Sequence, residues 1–135
     1  MVDVDNTKSV LLVDDDQFLL KMYAQKFESK GFRVFMAGSA DEALDMLKSG
    51  TQPSAIVFDL IMPRVDGYGF LEKLGQSGYA KEALKIALSN QSDPTEIARV
   101  SALGADGFIT KASSIPSEIV AEVERIMGEK QKTKN

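Results

Sequence analysis

At 135 residues, 44% of them hydrophobic and 27% charged, the chain is long enough for one domain with a proper core and too short for two ordinary ones. A net charge of −4 and a pI near 4.9 argue against unaided binding to nucleic acid or an anionic membrane. The absence of cysteine and histidine excludes disulfides, thiolate metal sites and any imidazole base or ligand within the chain. No apolar run is long enough to span a membrane, and the opening residues lack the basic start and apolar stretch of a signal peptide, so a cytoplasmic protein is expected.

Residues 1–7 read as an N-terminal extension. The run Val-Leu-Leu-Val over 10–13 is short and apolar, as a strand buried on both faces is. It ends in Asp14-Asp15-Asp16, three acids delivered to one point. Two carboxylates about 4 Å apart repel by roughly 4 kcal/mol at an effective dielectric near 20, which keeps one protonated or recruits a metal. Asp16 reads mainly as the cap of the helix that follows. That helix, over about 17–30, carries Leu19, Met22, Tyr23 and Phe27 on one face, with Gly31 as a stop signal. Phe18 and Leu20 fall outside this stripe, next to the acids, and read as an exposed apolar dock.

A second strand over 34–37 is followed by Ser39-Ala40-Asp41-Glu42, a capping-box pattern opening a helix that ends near Gly50. A third strand over 55–58 delivers Asp59, and Asp66-Gly67 reads as the turn and cap of a helix carrying Phe70, Leu71 and Leu74. A fourth strand over 84–88 ends at Ser89, and Asp93-Pro94-Thr95-Glu96 starts a helix with proline at its first position. A fifth strand over 107–110 delivers Lys111. The last helix, over about 116–127, turns Ile119, Val120, Val123, Ile126 and Met127 inward, and 129–135 is expected to be a disordered tail.

Five repeats of strand then helix imply a single-domain, doubly wound α/β fold with a parallel sheet covered on both faces. In such sheets the ligand site lies beyond the carboxyl ends of the strands, where the strand order reverses. Asp14, Asp15, Asp59, Ser89 and Lys111 stand at those ends. Together they can bind a divalent metal, offer a carboxylate nucleophile, and supply two donors to the equatorial oxygens of a transferred phosphoryl group.

Val-Asp-Asp after the first strand, Asp-Leu-Ile-Met-Pro-Arg-Val-Asp-Gly after the third, Leu-Ser after the fourth and Ile-Thr-Lys after the fifth resemble the receiver domain of two-component response regulators over residues 8–128. The resemblance implies a flavodoxin-like (βα)5 sandwich with strand order 2-1-3-4-5. It implies that Asp59 accepts a phosphoryl group from a partner, a sensor histidine kinase or a histidine phosphotransfer protein. Asp14, Asp15, Asp59 and the backbone carbonyl of Ile61 would hold Mg2+, for which Mn2+ can stand in. Lys111 would pair with the phosphoryl group, Ser89 would move to hydrogen-bond it, and Phe108 would change rotamer with it. Such a domain is not an enzyme in the usual sense, although autophosphorylation and autodephosphorylation are expected of it. Its output would pass through a face around Ile97, Val100, Phe108 and Val120, to an unknown output partner or a phosphorylation-dependent homodimer, with no direct binding to nucleic acid or membrane.

The sequence departs from that pattern at several positions. Ala112 follows Lys111 where proline is usual, and a non-proline cis bond costs about 2.5–4 kcal/mol, so the link is either a strained cis bond or a trans one that shifts Lys111. Asn90 stands where a smaller residue is frequent and narrows access to the phosphoryl group, while Ile61 and Gln91 flank the expected path of attacking water. Two other readings compete. In a haloacid dehalogenase-like phosphohydrolase, Asp14 would be the nucleophile and Asp16 the acid, and Ile86-Ala87-Leu88-Ser89-Asn90 would be the second motif. Against it, Phe18 replaces the expected threonine or valine, no aspartate follows Lys111, and Asp59 would be idle. In the other, a receiver-like module never turns over phosphate and acts only as a docking surface.

Overall fold

Every residue of the first and third strands is buried, a pattern that only a sheet covered on both faces permits. The computed structural model describes residues 8–90, 93–111 and 115–134; the expectations placed on residues 1–7, on Gln91 and on the Lys111-Ala112 link lie outside the described residues. Among the described residues, strands β1 (Ser9–Val13), β2 (Arg33–Ala37), β3 (Ala55–Asp59), β4 (Leu84–Ser89) and β5 (Gly107–Thr110) alternate with helices α1 (Gln17–Ser29), α2 (Ala40–Lys48), α3 (Gly67–Ser77), α4 (Pro94–Ala102) and α5 (Pro116–Lys134). The sheet is parallel in the order β2-β1-β3-β4-β5, so the doubly wound arrangement expected from the sequence is the one found.

Alternation along each strand divides the core into two layers. Val10, Leu12, Val57, Ile86 and Ile109 meet Phe27 of α1 and Val123 of α5 on one face. Leu11, Val13, Ile56 and Phe58 meet Leu47 of α2, Phe70 of α3 and Val100 of α4 on the other. Each layer holds an edge-on aromatic pair, Phe27 with Phe32 at 4.9 Å and Phe58 with Phe70 at 5.4 Å between centroids.

The helix starts follow the sequence signals. Asp16 Oδ1 accepts from the amides of Phe18 and Leu19, Ser39 Oγ from Glu42, Asp66 Oδ1 from Gly69, and Asp93 Oδ1 from Thr95; each such cap is worth about 1 kcal/mol. Helices α1 to α4 are each followed by a glycine of positive φ, namely Gly31, Gly50, Gly78 and Gly104, which turns the chain back toward the next strand.

Three expectations are corrected. The buried stripe of α1 is Leu20, Tyr23, Ala24 and Phe27, with Leu19 and Met22 only partly buried. Leu20, 3% exposed, therefore belongs to the core and not to an exposed dock, while Phe18, 76% exposed, does stand clear of it. Helix α5 runs to Lys134 and does not end near Met127. The residues after Met127 contain good helix formers and no proline, and Lys130 Nζ lies 3.7 Å from Asp106 Oδ1. Val100 and Val120, expected on an output face, are buried in opposite layers of the core; of that group Ile97 is exposed and Phe108 is partly buried against the layer that holds Val100.

Candidate functional site

The amide of Asp14 bonds Ala37 O at 3.1 Å, which carries the β1–β2 ladder one residue past the strand and fixes the backbone of the first acid. The residue is 3% exposed, and its Oδ1 accepts the Asp16 amide at 2.9 Å. Asp59 is the last residue of β3, paired with Leu88 and 9% exposed. The loop after it is pinned at both ends. Leu60 N bonds Leu88 O at 3.1 Å, and Gly67 N returns to Leu60 O at 2.9 Å. A Cβ at position 67 would stand 2.7 Å from Leu60 Cα, so only glycine permits this closure. Between them, Val65 N bonds Pro63 O at 2.8 Å across Arg64, whose φ of 67° makes this tight turn a strained one for a residue with a side chain.

Lys111 N bonds Ser89 O at 2.7 Å, extending the β4–β5 ladder in the same way. Its ammonium lies 3.4 Å from Asp14 Oδ2 and 3.5 Å from Asp59 Oδ2, bridging two buried carboxylates. Asp15 is exposed, yet one carboxylate oxygen from each of Asp14, Asp15 and Asp59 lies within 4.8 Å of the others. All are hard oxygen donors, the set that suits Mg2+ or a similar divalent cation and does not suit zinc or copper held by nitrogen and sulfur. The side chain of Ile61 is exposed beside them, and its amide lies 3.5 Å from Asp59 Oδ1.

Burial pushes the Asp59 carboxyl above the usual carboxylate range; the Asp14 anion adds to this, and the Lys111 ammonium opposes it without prevailing. For Lys111 burial acts against the charged form, but the Asp59 and Asp14 carboxylates outweigh it and hold the ammonium above its ordinary value. Burial also raises the Tyr23 phenol, which sits close enough to feel Lys111, Asp14 and Asp59. Over these groups opens a cleft of about 500 Å³. Asp14, Asp15, Asp16, Asp59, Asn90 and Lys111 form its polar lining, while Leu19, Met22, Tyr23 and Pro116 give it an apolar wall.

The structure thus brings together Asp14, Asp15, Asp16, Asp59, Asn90 and Lys111. Ser89 and Phe108 do not line the cleft: Ser89, 4% exposed, donates its hydroxyl to Glu96 Oε1 at 3.2 Å, and Phe108 of β5 pairs with Ala87 of β4 and packs against the core. Asp16 is committed to the start of α1, as its cap reading requires. Two neighbours escaped the sequence reading. In the sequence Tyr23 is one more apolar-stripe residue with no sign that it borders the acids, and Glu96 is only part of a helix start. The signal for Glu96 was its place as third residue of a helix beginning just after Ser89.

The family model of the response regulator receiver domain matches residues 10–124. Among curated relatives, the chain is 32% identical over 118 residues to "Two-component response regulator ORR11" of Oryza sativa subsp. indica, covering 87% of this chain and 80% of that protein. It is 30% identical over 122 residues to "Probable transcriptional regulator ycf27" of Porphyridium aerugineum, covering 89% of this chain but 48% of that one, so it spans about half the length of that relative. Among solved structures, a CheY-like response regulator receiver domain protein from Methanospirillum hungatei JF-1 superposes with a TM-score of 0.83 at 25% identity, covering 95% of this chain and 99% of that chain. The chemotaxis protein CheY4 of Vibrio cholerae shares the fold, with a TM-score of 0.82 at 23% identity over 89% of this chain and 98% of its own. With strand order, acid cluster and family match in agreement, the chain belongs to the response regulator receiver domain family of two-component signalling.

Proposed function

We propose that Asp59 accepts a phosphoryl group from the phosphohistidine of a sensor histidine kinase or histidine phosphotransfer protein, in a Mg2+-dependent reaction in the cytoplasm. The observation that carries this reading is the Lys111 ammonium set 3.4 Å and 3.5 Å from Asp14 and Asp59 within a cluster of three acids. An Asp59 oxygen forms the new O–P bond as the N–P bond to imidazole breaks, and the imidazole leaves with the electron pair. The chain has no histidine, so the donor is a partner. Burial makes the Asp59 carboxylate more basic than an exposed one, and Lys111 supplies ammonium donors where charge gathers on the phosphoryl oxygens. Asp14, Asp15, Asp59 and the Ile61 carbonyl would hold Mg2+, which when bound supplies positive charge against the incoming anion. In this role the chain is an acceptor and not an enzyme in the usual sense.

Partner contact fits the same end of the sheet. Phe18 in the first turn of α1, Ile61 after β3 and Ile115 before α5 are exposed large apolar side chains that follow strand ends, and such side chains suit an apolar partner surface. Output would leave through α4, β5 and α5, with Ile97 and Phe108 as accessible groups. The hydrolase alternative needs Asp16 as an acid, and that carboxylate is occupied in capping α1.

The test is intact and peptide mass spectrometry after incubation with Mg2+ and a small acyl phosphate, beside Asp59→Asn and a chelated control. The expected result is a phosphate-sized increment on Asp59 that requires the metal and disappears in Asp59→Asn. Modification of Asp14 would instead favour the hydrolase, and no modification despite bound Mg2+ would favour a docking module.

A further inference from the structure

Ser89 and Glu96 meet where the end of β4 faces the first turn of α4. The Ser89 hydroxyl, on a residue 4% exposed, donates to Glu96 Oε1 at 3.2 Å. A glutamate three residues after a helix cap ordinarily turns back to the amide of the cap residue. Here the partly buried Glu96 serves as an acceptor for Ser89, while the cap itself is made by Asp93 on Thr95. One turn further along α4, the Arg99 guanidinium lies over the Tyr68 ring at 3.8 Å. Tyr68 is the second residue of α3, next to the Gly67 whose amide closes the loop carrying Asp59. Residues 96 and 99 share a face of α4, so one face of that helix holds both the end of β4 and the start of α3.

We propose that Glu96 is a positioning residue that holds the Ser89 hydroxyl in the resting state and competes for it with a phosphoryl group on Asp59. The inference rests on the reading of Asp59 as the acceptor. A serine hydroxyl has one proton to donate, and Glu96 and a phosphoryl oxygen are both charged acceptors, so the hydroxyl can serve only one of them at a time. When Ser89 turns to the phosphoryl group, Glu96 loses that donor while a new negative charge appears nearby. The first turn of α4 then has reason to move, and Arg99 carries the displacement to Tyr68.

The test is a double-mutant cycle on the full chain, read as calorimetric affinity for beryllofluoride with Mg2+, with acyl phosphate labelling run in parallel. Glu96→Ala should tighten beryllofluoride binding about fivefold, the worth of one hydrogen bond of roughly 1 kcal/mol. Glu96→Gln keeps a neutral, weaker acceptor and should tighten binding by less than Glu96→Ala, about twofold. In a Ser89→Ala background, Glu96→Ala should change nothing. An equal gain from Glu96→Ala with and without Ser89 would overturn the inference, since loss of a nearby negative charge would then explain it, and so would no gain at all. If the unmodified chain takes no phosphate on Asp59, the acceptor reading fails and the inference with it; normal labelling with equal gains in both backgrounds overturns the inference alone.

Discussion

Asp59 and Lys111 feel the same burial with opposite outcomes. Both agree on the sign of their mutual attraction, yet for Asp59 burial wins and the carboxyl is raised, whereas for Lys111 the two carboxylates win and the ammonium is held. The consequence for stability follows from linkage. The folded chain holds the Asp59 proton more tightly than the unfolded chain, so folded stability falls as pH rises from the ordinary carboxylate range through the raised value, and stays lowered above it. Asp59→Asn should therefore raise the melting temperature of the metal-free protein at neutral pH, with the gain shrinking as pH falls toward about 4, followed by thermal unfolding across that range. An equal gain at every pH would mean that Asp59 is not held above its unfolded value. Lys111 does not disturb this window, because its contribution is lost only above the ordinary ammonium range. Mg2+ at a hundred times its Kd should stabilise the unmodified chain by roughly 2.7 kcal/mol, and the variant by less. Asp14, Asp15, Asp59 and Lys111 were legible because an acid or lysine directly after a short apolar run has one place to go in a parallel sheet. Glu96 was not, because a glutamate in a first helical turn already has an explanation.

Helix α1 shows how an element can be found correctly and still be rotated. Leu19, Leu20, Met22 and Tyr23 crowd together, and both the series from Leu19 and the series from Leu20 look apolar at first. Followed one turn further, the first reaches Lys26, while the second continues through Ala24 to Phe27 without a charge. The second series is the one that meets the sheet. Phe18 and Leu20 therefore answer differently to the same change. Leu20→Lys should destabilise the domain by roughly 2–5 kcal/mol, read as a fall in denaturant midpoint. Phe18→Lys should leave that midpoint nearly unchanged and slow phosphotransfer from a partner kinase, while labelling by a small acyl phosphate proceeds as before. Equal slowing with both donors would remove Phe18 from the docking surface. The end of α5 differs for another reason: its apolar stripe stops at Met127, while the helix formers beyond carry the helix on to Lys134 with no further inward side chain to mark them.

At the scale of the whole molecule, topology was the most legible property, since five alternating repeats leave few ways to wind a parallel sheet. Surface roles were least legible, because a valine on a helix does not declare whether it faces solvent; Val100 and Val120 turn inward, so any output face must be built from other side chains. The two ends of the sheet also differ in kind. At the carboxyl end the connections carry Asp14, Asp59, the strained turn at Arg64, and Lys111. At the amino end the chain is stitched by Ser9 and Ser54, whose backbone amides and hydroxyls bond one another at 2.9–3.3 Å, and the glycines at 31, 50, 78 and 104 make the turns. A flexible glycine-serine stretch spliced between Thr51 and Gln52 should therefore leave Asp59 labelling within about twofold, since each doubling of such a loop costs only about 0.6 kcal/mol. The same stretch between Arg64 and Val65 should abolish it. Those four glycine turns lie a full strand length from the acids and Lys111, so the far end of the sheet is where the chain can take on length while the groups that do the chemistry stay in place.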